Sequence, residues 1–130
     1  MGEEVFLFMT ITSVTHTTAP QRPAKKSAAP RQAEVAADEE DAQERLGRDL
    51  LAAAKHAVGR RGIFHLALSG GGTPMPFYRR LMIDPLFRDM PWSRTHLWIV
   101  DERRAPFDSD TNNYKHIHEL IVEHSDLPAA

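Results

Sequence analysis

The first clear pattern of apolar and polar residues along the chain has the periodicity of a helix. Between residues 42 and 57 apolar side chains recur every three or four positions, which predicts an amphipathic helix. Asp38 stands where a capping residue is expected, three acidic residues follow it, and Gly59 is placed to end the helix. The segment 33–37 before the helix predicts a short edge strand. An ordered domain is therefore expected to begin near residue 33.

Two later segments are short and almost continuously apolar, as strands covered by helices are. They are residues 63–68, interrupted only by His65, and residues 95–100. Between them lies a second helical pattern, whose inward side is formed by Met75, Phe77, Tyr78 and Leu81. A helix between two such strands is typical of a parallel crossover. The predicted fold class is therefore α/β, a Rossmann-like parallel sheet flanked by helices.

The junction between the first of these strands and its helix is rich in glycine. It contains Ser69, Gly70, Gly71, Gly72 and Thr73. We expect Thr73 to cap a helix that the following proline opens, because proline suits the first helical position. Unpaired amides and the positive end of the helix dipole would then favour a phosphate or another anion. The alternative is a tight connection that binds nothing.

Other glycine motifs fit this junction less well. A nucleotide-binding P-loop needs a lysine, which the sequence after Gly72 lacks, and a dinucleotide fingerprint needs a third glycine where Met75 stands. A hydrolase nucleophile elbow needs glycine two residues before the serine, and Ala67 occupies that place. With these three motifs excluded, the functional interpretation that remains for the junction is the binding of an anion.

The second strand ends in four charged residues, Asp101 to Arg104. Ligands of open parallel sheets bind beyond the carboxyl ends of the strands, so this cluster and the glycine junction are expected at one edge. Arg103 or Arg104 can hold a phosphate with two hydrogen bonds, and Asp101 can bond sugar hydroxyls or transfer a proton. The alternative is a set of charges that are only solvated where the strand leaves the core.

The last helical pattern begins near Asn112 and Asn113, either of which can cap it. Three histidines follow, His116, His118 and His124, but their spacing does not bring a zinc-binding set onto one helix face. We therefore predict no metal site and interpret these histidines as surface residues.

Composition limits the remaining possibilities. The net charge of -2 gives no general attraction to nucleic acid or anionic membranes, and the lack of cysteine suits the cytoplasm. Residues 5–14 are apolar but follow two glutamates and are too short to span a bilayer, so membrane targeting is not expected. Residues 15–31 contain three prolines and no acid. The predicted organisation is a disordered or linker extension over 1–32 and one domain over 33–130.

Three motifs in this order, residues 68–74, 98–104 and 112–114, resemble the amino-terminal half of the 6-phosphogluconolactonases. The wider family also contains the glucosamine-6-phosphate deaminases. The resemblance implies a cytosolic esterase of the pentose phosphate pathway that opens 6-phosphoglucono-1,5-lactone with water and uses neither metal nor cofactor. The sugar lactone would be the partner molecule.

The resemblance also implies roles for individual residues. The substrate site would be lined by Ser69, Gly70, Gly71, Gly72 and Thr73. Arg103 would meet the phosphate, and Asp101 matches the acidic residue that transfers protons in the deaminases. Asn113 matches the asparagine of a Ser-Asn pair whose serine is replaced by Asn112.

The resemblance places the general base in a later Gly-His segment, beyond Ala130. We therefore expect a truncated half-domain that is nearly inactive alone and associates through an unpaired sheet edge or with its missing half. Two alternatives stay open, a glucosamine-6-phosphate deaminase or isomerase and a non-catalytic module that binds sugar phosphates. The Asp-Glu-Arg order at residues 101–103 favours the lactonase, since the deaminases usually carry an aromatic residue there.

Overall fold

A computed structural model describes residues 7–8 and 34–128 of the chain. In chain order the strands and helices are β1 Leu7–Phe8, α1 Glu39–Arg61, β2 Phe64–Leu68, α2 Met75–Ile83, β3 Thr95–Ile99 and α3 Asn113–Leu120. Short 3-10 turns occupy Pro85–Phe87, Trp92–Arg94 and Val122–His124. The two predicted apolar strands and the three predicted helices are therefore all present.

The three strands form one parallel sheet in the order β1-β2-β3. Phe64 lies opposite Thr95, and Leu68 lies opposite Ile99, so β2 and β3 end level with each other. The amide of Val100 continues the pairing by donating to the carbonyl of Leu68 at 2.9 Å. This confirms the predicted α/β class and puts the loops that follow β2 and β3 side by side at one edge.

The strand β1 lies within the segment 1–32, for which the composition predicts an extension. Its backbone pairs with β2 at Leu66 and Ala67. The rest of that segment, including the proline-rich stretch, lies outside the described residues. The domain boundary near residue 33 stays a prediction.

One face of the sheet carries the hydrophobic core. Phe64, Leu66 and Leu68 are at most 2% exposed and pack in one cluster with side chains from all three helices. These helical residues are Leu50, Ala54, Ala57, Phe77, Tyr78, Leu81 and Ile117. A helix of only nine residues is unstable on its own, so burial of its apolar side in this cluster is what stabilises α2.

The opposite face carries a different set of side chains, with His65 and Ala67 on β2 and His96 and Trp98 on β3. The indole N–H of Trp98 donates to Nδ1 of His65 at 3.0 Å. Trp98 nevertheless remains 50% exposed, whereas Ala67 is buried. The apolar run in β3 therefore does not lie in a fully buried strand.

Helix α1 confirms the predicted cap but corrects its predicted end. The carboxylate of Asp38 accepts from the amide of Asp41 at 2.8 Å. The helix passes through Gly59 and ends at Arg61, because Gly62 takes the left-handed conformation with φ 78° and closes the last turn. Residues 34–36 form no strand, so the predicted edge strand over 33–37 is wrong in its described part. Within the described ranges, none of the strands pairs with this segment.

Helix α1 also contains a close contact that the sequence pattern does not indicate. Gly47 is buried, and a side-chain carbon added to it would lie 2.4 Å from the ring of Phe87. The missing side chain lets the 3-10 turn after α2 approach α1 closely. None of the helices in the described ranges is long and apolar enough to cross a membrane.

Candidate functional site

The glycine junction after β2 is shaped by two of its three glycines, each for a different reason. A side-chain carbon on Gly70 would lie 2.1 Å from the amide group of Asn113. Gly71 has a φ of 87°, a conformation that other residues adopt only at a cost. Gly72 has open space around it. The loop therefore needs glycine at 70 to pack against α3 and at 71 to turn.

The start of α2 differs from the prediction. The helix begins at Met75 rather than at Pro74, and Thr73 makes no capping bond. Pro74 is the residue at the cap position and provides no side-chain acceptor, while Pro76 is tolerated because it lies in the first turn. No acidic residue stands in that turn. The predicted threonine cap is wrong because the helix starts one residue later.

The backbone of the glycine junction keeps its donors unpaired. Within the part of the chain that the structure describes, none of the amide groups from Gly70 to Thr73 donates a hydrogen bond. The Ser69 carbonyl, in contrast, accepts from the buried hydroxyl of Tyr78 at 2.9 Å. Burial raises the pKa of Tyr78, and the bond to Ser69 offsets part of that rise. The tyrosine stays neutral and anchors the loop to α2, while adjacent amides remain available to an anion.

The charged segment after β3 is organised by Glu102. One carboxylate oxygen accepts from the amides of Arg103 and Asn113, both at 2.7 Å, and the other accepts from the amide of Tyr114 at 2.8 Å. Desolvation by itself raises the pKa of Glu102. The three amide donors together lower it by more than desolvation raises it, so the pKa lies below its ordinary value. Glu102 is thus an ionised acceptor at the start of α3.

The two asparagines before α3 have separate tasks. Asn112 is the capping residue, and its side-chain oxygen accepts from the amide of Lys115 at 2.8 Å. Asn113 is the first helical residue, is buried, and donates from its side chain to the carbonyl of Asp101 at 2.9 Å. Asn113 therefore joins the glycine junction, the segment after β3 and α3.

A cleft of about 690 Å³ opens between these elements. Its lining residues are Gly71, Gly72, Met75, Pro76, Arg79, Arg103, Asp110, Thr111, Asn113 and His116. Four residues that the sequence nominated are among them, two of the glycines, Arg103 and Asn113. The cleft thus brings the guanidinium of Arg103 and the glycine junction to one cavity, as their positions at neighbouring strand ends predict.

The other nominated residues lie next to this cavity rather than in its lining. Ser69, Gly70 and Thr73 belong to the same junction but do not line the cleft. The carboxylate of Asp101 lies 3.8 Å from the guanidinium of Arg103, and both side chains are more than half exposed. Asp101 is therefore the partner of Arg103 in a long, solvent-exposed ion pair.

Three residues contribute to this region although sequence reasoning assigned them no role in a site. Glu102 accepts hydrogen bonds from the first two amides of α3, while Arg79 and His116 line the cleft. Arg79 stands four residues after Met75, so helical spacing from the glycine junction could have found it. Glu102 gave no such signal, because its partners in α3 lie eleven and twelve residues later.

The acidic residue in the lining is already paired. Asp110 accepts from the ammonium of Lys115 at 2.6 Å, which lowers the pKa of Asp110 and raises that of Lys115. The backbone carbonyl of Asp110 also accepts a hydrogen bond from Nε2 of His116 at 2.8 Å. A carbonyl can only accept, so Nε2 carries the proton in neutral His116. The guanidinium groups therefore dominate the charge of the cleft.

Comparison with known proteins relates this arrangement to a family. Residues 37–130 match the family model described as glucosamine-6-phosphate isomerases/6-phosphogluconolactonase. The human GDH/6PGL endoplasmic bifunctional protein is 37% identical over 94 residues, which are 72% of this chain and 12% of that protein. A 6-phosphogluconolactonase of Thermotoga maritima is 36% identical over 64 residues, which are 49% of this chain and 27% of that enzyme.

The fold comparison agrees with the sequence comparison. A crystal structure of a 6-phosphogluconolactonase from Thermotoga maritima superimposes with a TM-score of 0.58 at 26% identity. The superposition covers 67% of this chain and 38% of that enzyme. The chain thus spans well under half the length of the relatives it matches.

Proposed function

Because the chain belongs to the family of glucosamine-6-phosphate isomerases and 6-phosphogluconolactonases, we propose that it provides the sugar-phosphate site of a 6-phosphogluconolactonase. The reaction is the hydrolysis of 6-phospho-D-glucono-1,5-lactone to 6-phosphogluconate. The observation that carries the proposal is the shared cleft of the glycine junction, Arg103 and Asn113. The relatives that bear this enzyme's name support the choice of substrate.

In this proposal the phosphate binds between the glycine junction and Arg103. Unpaired amides from Gly70 to Thr73 would donate to its oxygens, and the guanidinium would add charge-assisted bonds. The absence of an acid in the first turn of α2 supports the assignment, since a carboxylate there would repel the ligand.

The remaining nominated residues act on the sugar or on the site's geometry. Ser69 and Thr73 would offer hydroxyl groups, and Asp101 would bond sugar hydroxyls or move a proton while it orients Arg103. Asn113 holds the segment after β3 through its bond to the Asp101 carbonyl. The family resemblance assigns water activation to a histidine beyond Ala130, so these residues bind and orient the lactone.

Two measurements on the 130-residue chain test the proposal. Titration calorimetry is expected to detect binding of 6-phosphogluconate, and a lactonase assay is expected to show little or no turnover without the histidine. Co-expression with the carboxyl-terminal part of a relative should restore turnover. A chain that does not bind 6-phosphogluconate would contradict the proposal.

A second candidate function follows from the family description, which includes the glucosamine-6-phosphate isomerases. The same cleft would accept the phosphate of glucosamine 6-phosphate. Tighter binding of glucosamine 6-phosphate than of 6-phosphogluconate, or its turnover, would favour that function. Phosphate-dependent binding without turnover under any of these conditions would favour a non-catalytic module.

The proposal includes a location and an association. We propose a cytoplasmic location, which the family resemblance implies and the lack of cysteine suits, although the human relative is named endoplasmic. Association with a second polypeptide would occur along β3, which is the last strand of the described sheet and in which Trp98 is half exposed. Cell fractionation tests the location, and size-exclusion chromatography tests the association.

A further inference from the structure

The helix α2 presents different residues to three surroundings. Phe77, Tyr78 and Leu81 are buried in the core, and Arg80 is held on a second side by Asp84 and Glu44. The third side, formed by Met75, Pro76 and Arg79, lines the cleft. Arg79 is thus the basic residue that α2 directs to the cavity beside the glycine junction.

Arg79 and Arg80 differ sharply although they are adjacent. The guanidinium of Arg80 forms ion pairs at 3.1 and 3.5 Å, donates to the carbonyl of Glu40 at 2.8 Å, and is only 17% exposed. Arg79 is exposed, and its side chain makes no hydrogen bond or ion pair within residues 34–128. Structural pairing therefore accounts for Arg80 and leaves Arg79 without such a role.

Helix geometry lets Arg79 reach the anion-binding end of the cleft. Four residues separate it from Met75, which is about 6 Å along the helix axis. Side chains of a helix lean toward its amino terminus, so the long arm of Arg79 can extend back over the first turn. Arg103 approaches the same cavity from the segment after β3. The two arginines thus belong to two different walls.

The charges around the cleft favour a doubly charged ligand. Lys115 neutralises Asp110, and Asp101 offsets Arg103 in part at 3.8 Å. Arg79 has no such partner among the residues described. A phosphate monoester carries close to two negative charges at neutral pH and has three terminal oxygens, so it can bond two guanidinium groups and backbone amides together.

We propose that Arg79 is a second phosphate-contacting residue, which works with Arg103 to select phosphorylated over unphosphorylated sugar acids. This inference rests on the proposed function. It assigns charge-based specificity to α2, whereas the glycine junction supplies backbone amides and two neutral hydroxyl groups. Lysine at position 79 would keep the charge but lose the paired geometry of the guanidinium.

Titration of the 130-residue chain with 6-phosphogluconate and with gluconate tests the inference. In Arg79→Ala the dissociation constant for 6-phosphogluconate should rise roughly tenfold or more, while that for gluconate stays unchanged. The dissociation constant of Arg79→Lys for 6-phosphogluconate should lie between those of the unaltered chain and Arg79→Ala. Arg94→Ala is the matched control, because Arg94 precedes β3 and therefore lies at the opposite edge of the sheet.

The double variant Arg79→Ala, Arg103→Ala adds a test of the shared ligand group. If both arginines hold one phosphate, their effects on binding should depend on each other rather than add. Unchanged affinity in Arg79→Ala, or equal weakening for gluconate, would overturn the role of Arg79 and leave the proposed function intact. Absence of 6-phosphogluconate binding in the unaltered chain would overturn both.

Discussion

Helices α2 and α3 begin at the same edge of the sheet, but their amino-terminal ends differ. The end of α3 is closed by the chain itself, since Glu102 accepts from the amides of Asn113 and Tyr114 and Asn112 caps the turn. The end of α2 has no side-chain cap and no acidic residue in its first turn. The start of α2 is therefore open to the external anion that we propose, whereas at α3 an internal carboxylate already occupies the equivalent position.

The residue types after each strand explain this difference. The glycines after β2 provide no side chain that could accept from the amides nearby. After β3, Glu102 reaches the next helix because Asn113 ties the intervening segment down. The cap residues also differ in backbone conformation, since Pro74 is helical and Asn112 is extended. The start of α3 is thus satisfied internally, while the start of α2 is left open. Four predictions test this contrast.

The largest effect is expected where the two helix starts touch. Gly70→Ala places a carbon 2.1 Å from the Asn113 amide, so Asn113 or the loop must move. We expect a loss of about 3 kcal/mol in the free energy of unfolding, measured by urea denaturation. Gly72→Ala is the control, since it meets open space and should change stability by less than about 0.5 kcal/mol. Equal stability of the two variants would disprove the contact.

The next effect concerns ligand binding at the open end. Arg103→Ala removes the guanidinium that lines the cleft beside the glycine junction. The dissociation constant for 6-phosphogluconate should rise about tenfold to a hundredfold, as for a lost charge-assisted contact. Calorimetry measures this change, and Arg94→Ala should leave the affinity unaltered. An unchanged constant in Arg103→Ala would remove this residue from the site.

The closed end should show a smaller and pH-dependent effect. Glu102 has a lowered pKa in the folded chain, so its ionised form stabilises the fold above the ordinary glutamate pKa of 4.5. This stabilisation is lost as the pH falls through the lower folded pKa. Glu102→Gln should therefore be less stable than the unaltered chain at pH 7, and the difference should shrink in acid.

Chemical denaturation at several pH values measures this difference. Glu119→Gln is the matched control, since Glu119 is an exposed residue of the same helix. At pH 7 its stability should differ less from that of the unaltered chain than the stability of Glu102→Gln does. A Glu102→Gln difference that is independent of pH would contradict the closed-end interpretation.

The smallest effect is expected from closing the open end artificially. Thr73→Asp puts a carboxylate beside the start of α2, where Thr73 is exposed and makes no cap. Stability should be unchanged or rise by about 0.5 kcal/mol, while 6-phosphogluconate binding weakens about twofold to fivefold. Thr73→Asn has a similar shape without the charge. If both variants bind equally well, the anion does not lie near this helix end.

Several features of the fold were predictable because they depend on neighbouring residues. The apolar runs specified β2 and β3, and Asp38 specified the start of α1. Exact helix ends were less predictable. Gly59 and Gly62 are both suitable for a helix end, and only Gly62 takes a positive φ. Thr73 likewise had the right chemistry for a cap at a position that the helix does not use.

The candidate site was predictable to the extent that strand ends determine it. Parallel strands of equal register put the glycine junction and Arg103 at one edge, and the structure brings both to one cleft. The contribution of Arg79 depends on how α2 is rotated against the core. Apolar periodicity indicates that rotation, but it does not show which elements form the opposite wall.

The sequence by itself determined the order α1-β2-α2-β3-α3, the glycine junction and the motifs of the family resemblance, since each of these depends on residues close together in the chain. Only the tertiary structure decided that Gly70 makes room for Asn113 and that Glu102 closes α3. The physical reason is that steric contact and hydrogen bonding require atoms a few ångströms apart. Packing of the helices on the sheet brings such atoms together from distant parts of the chain.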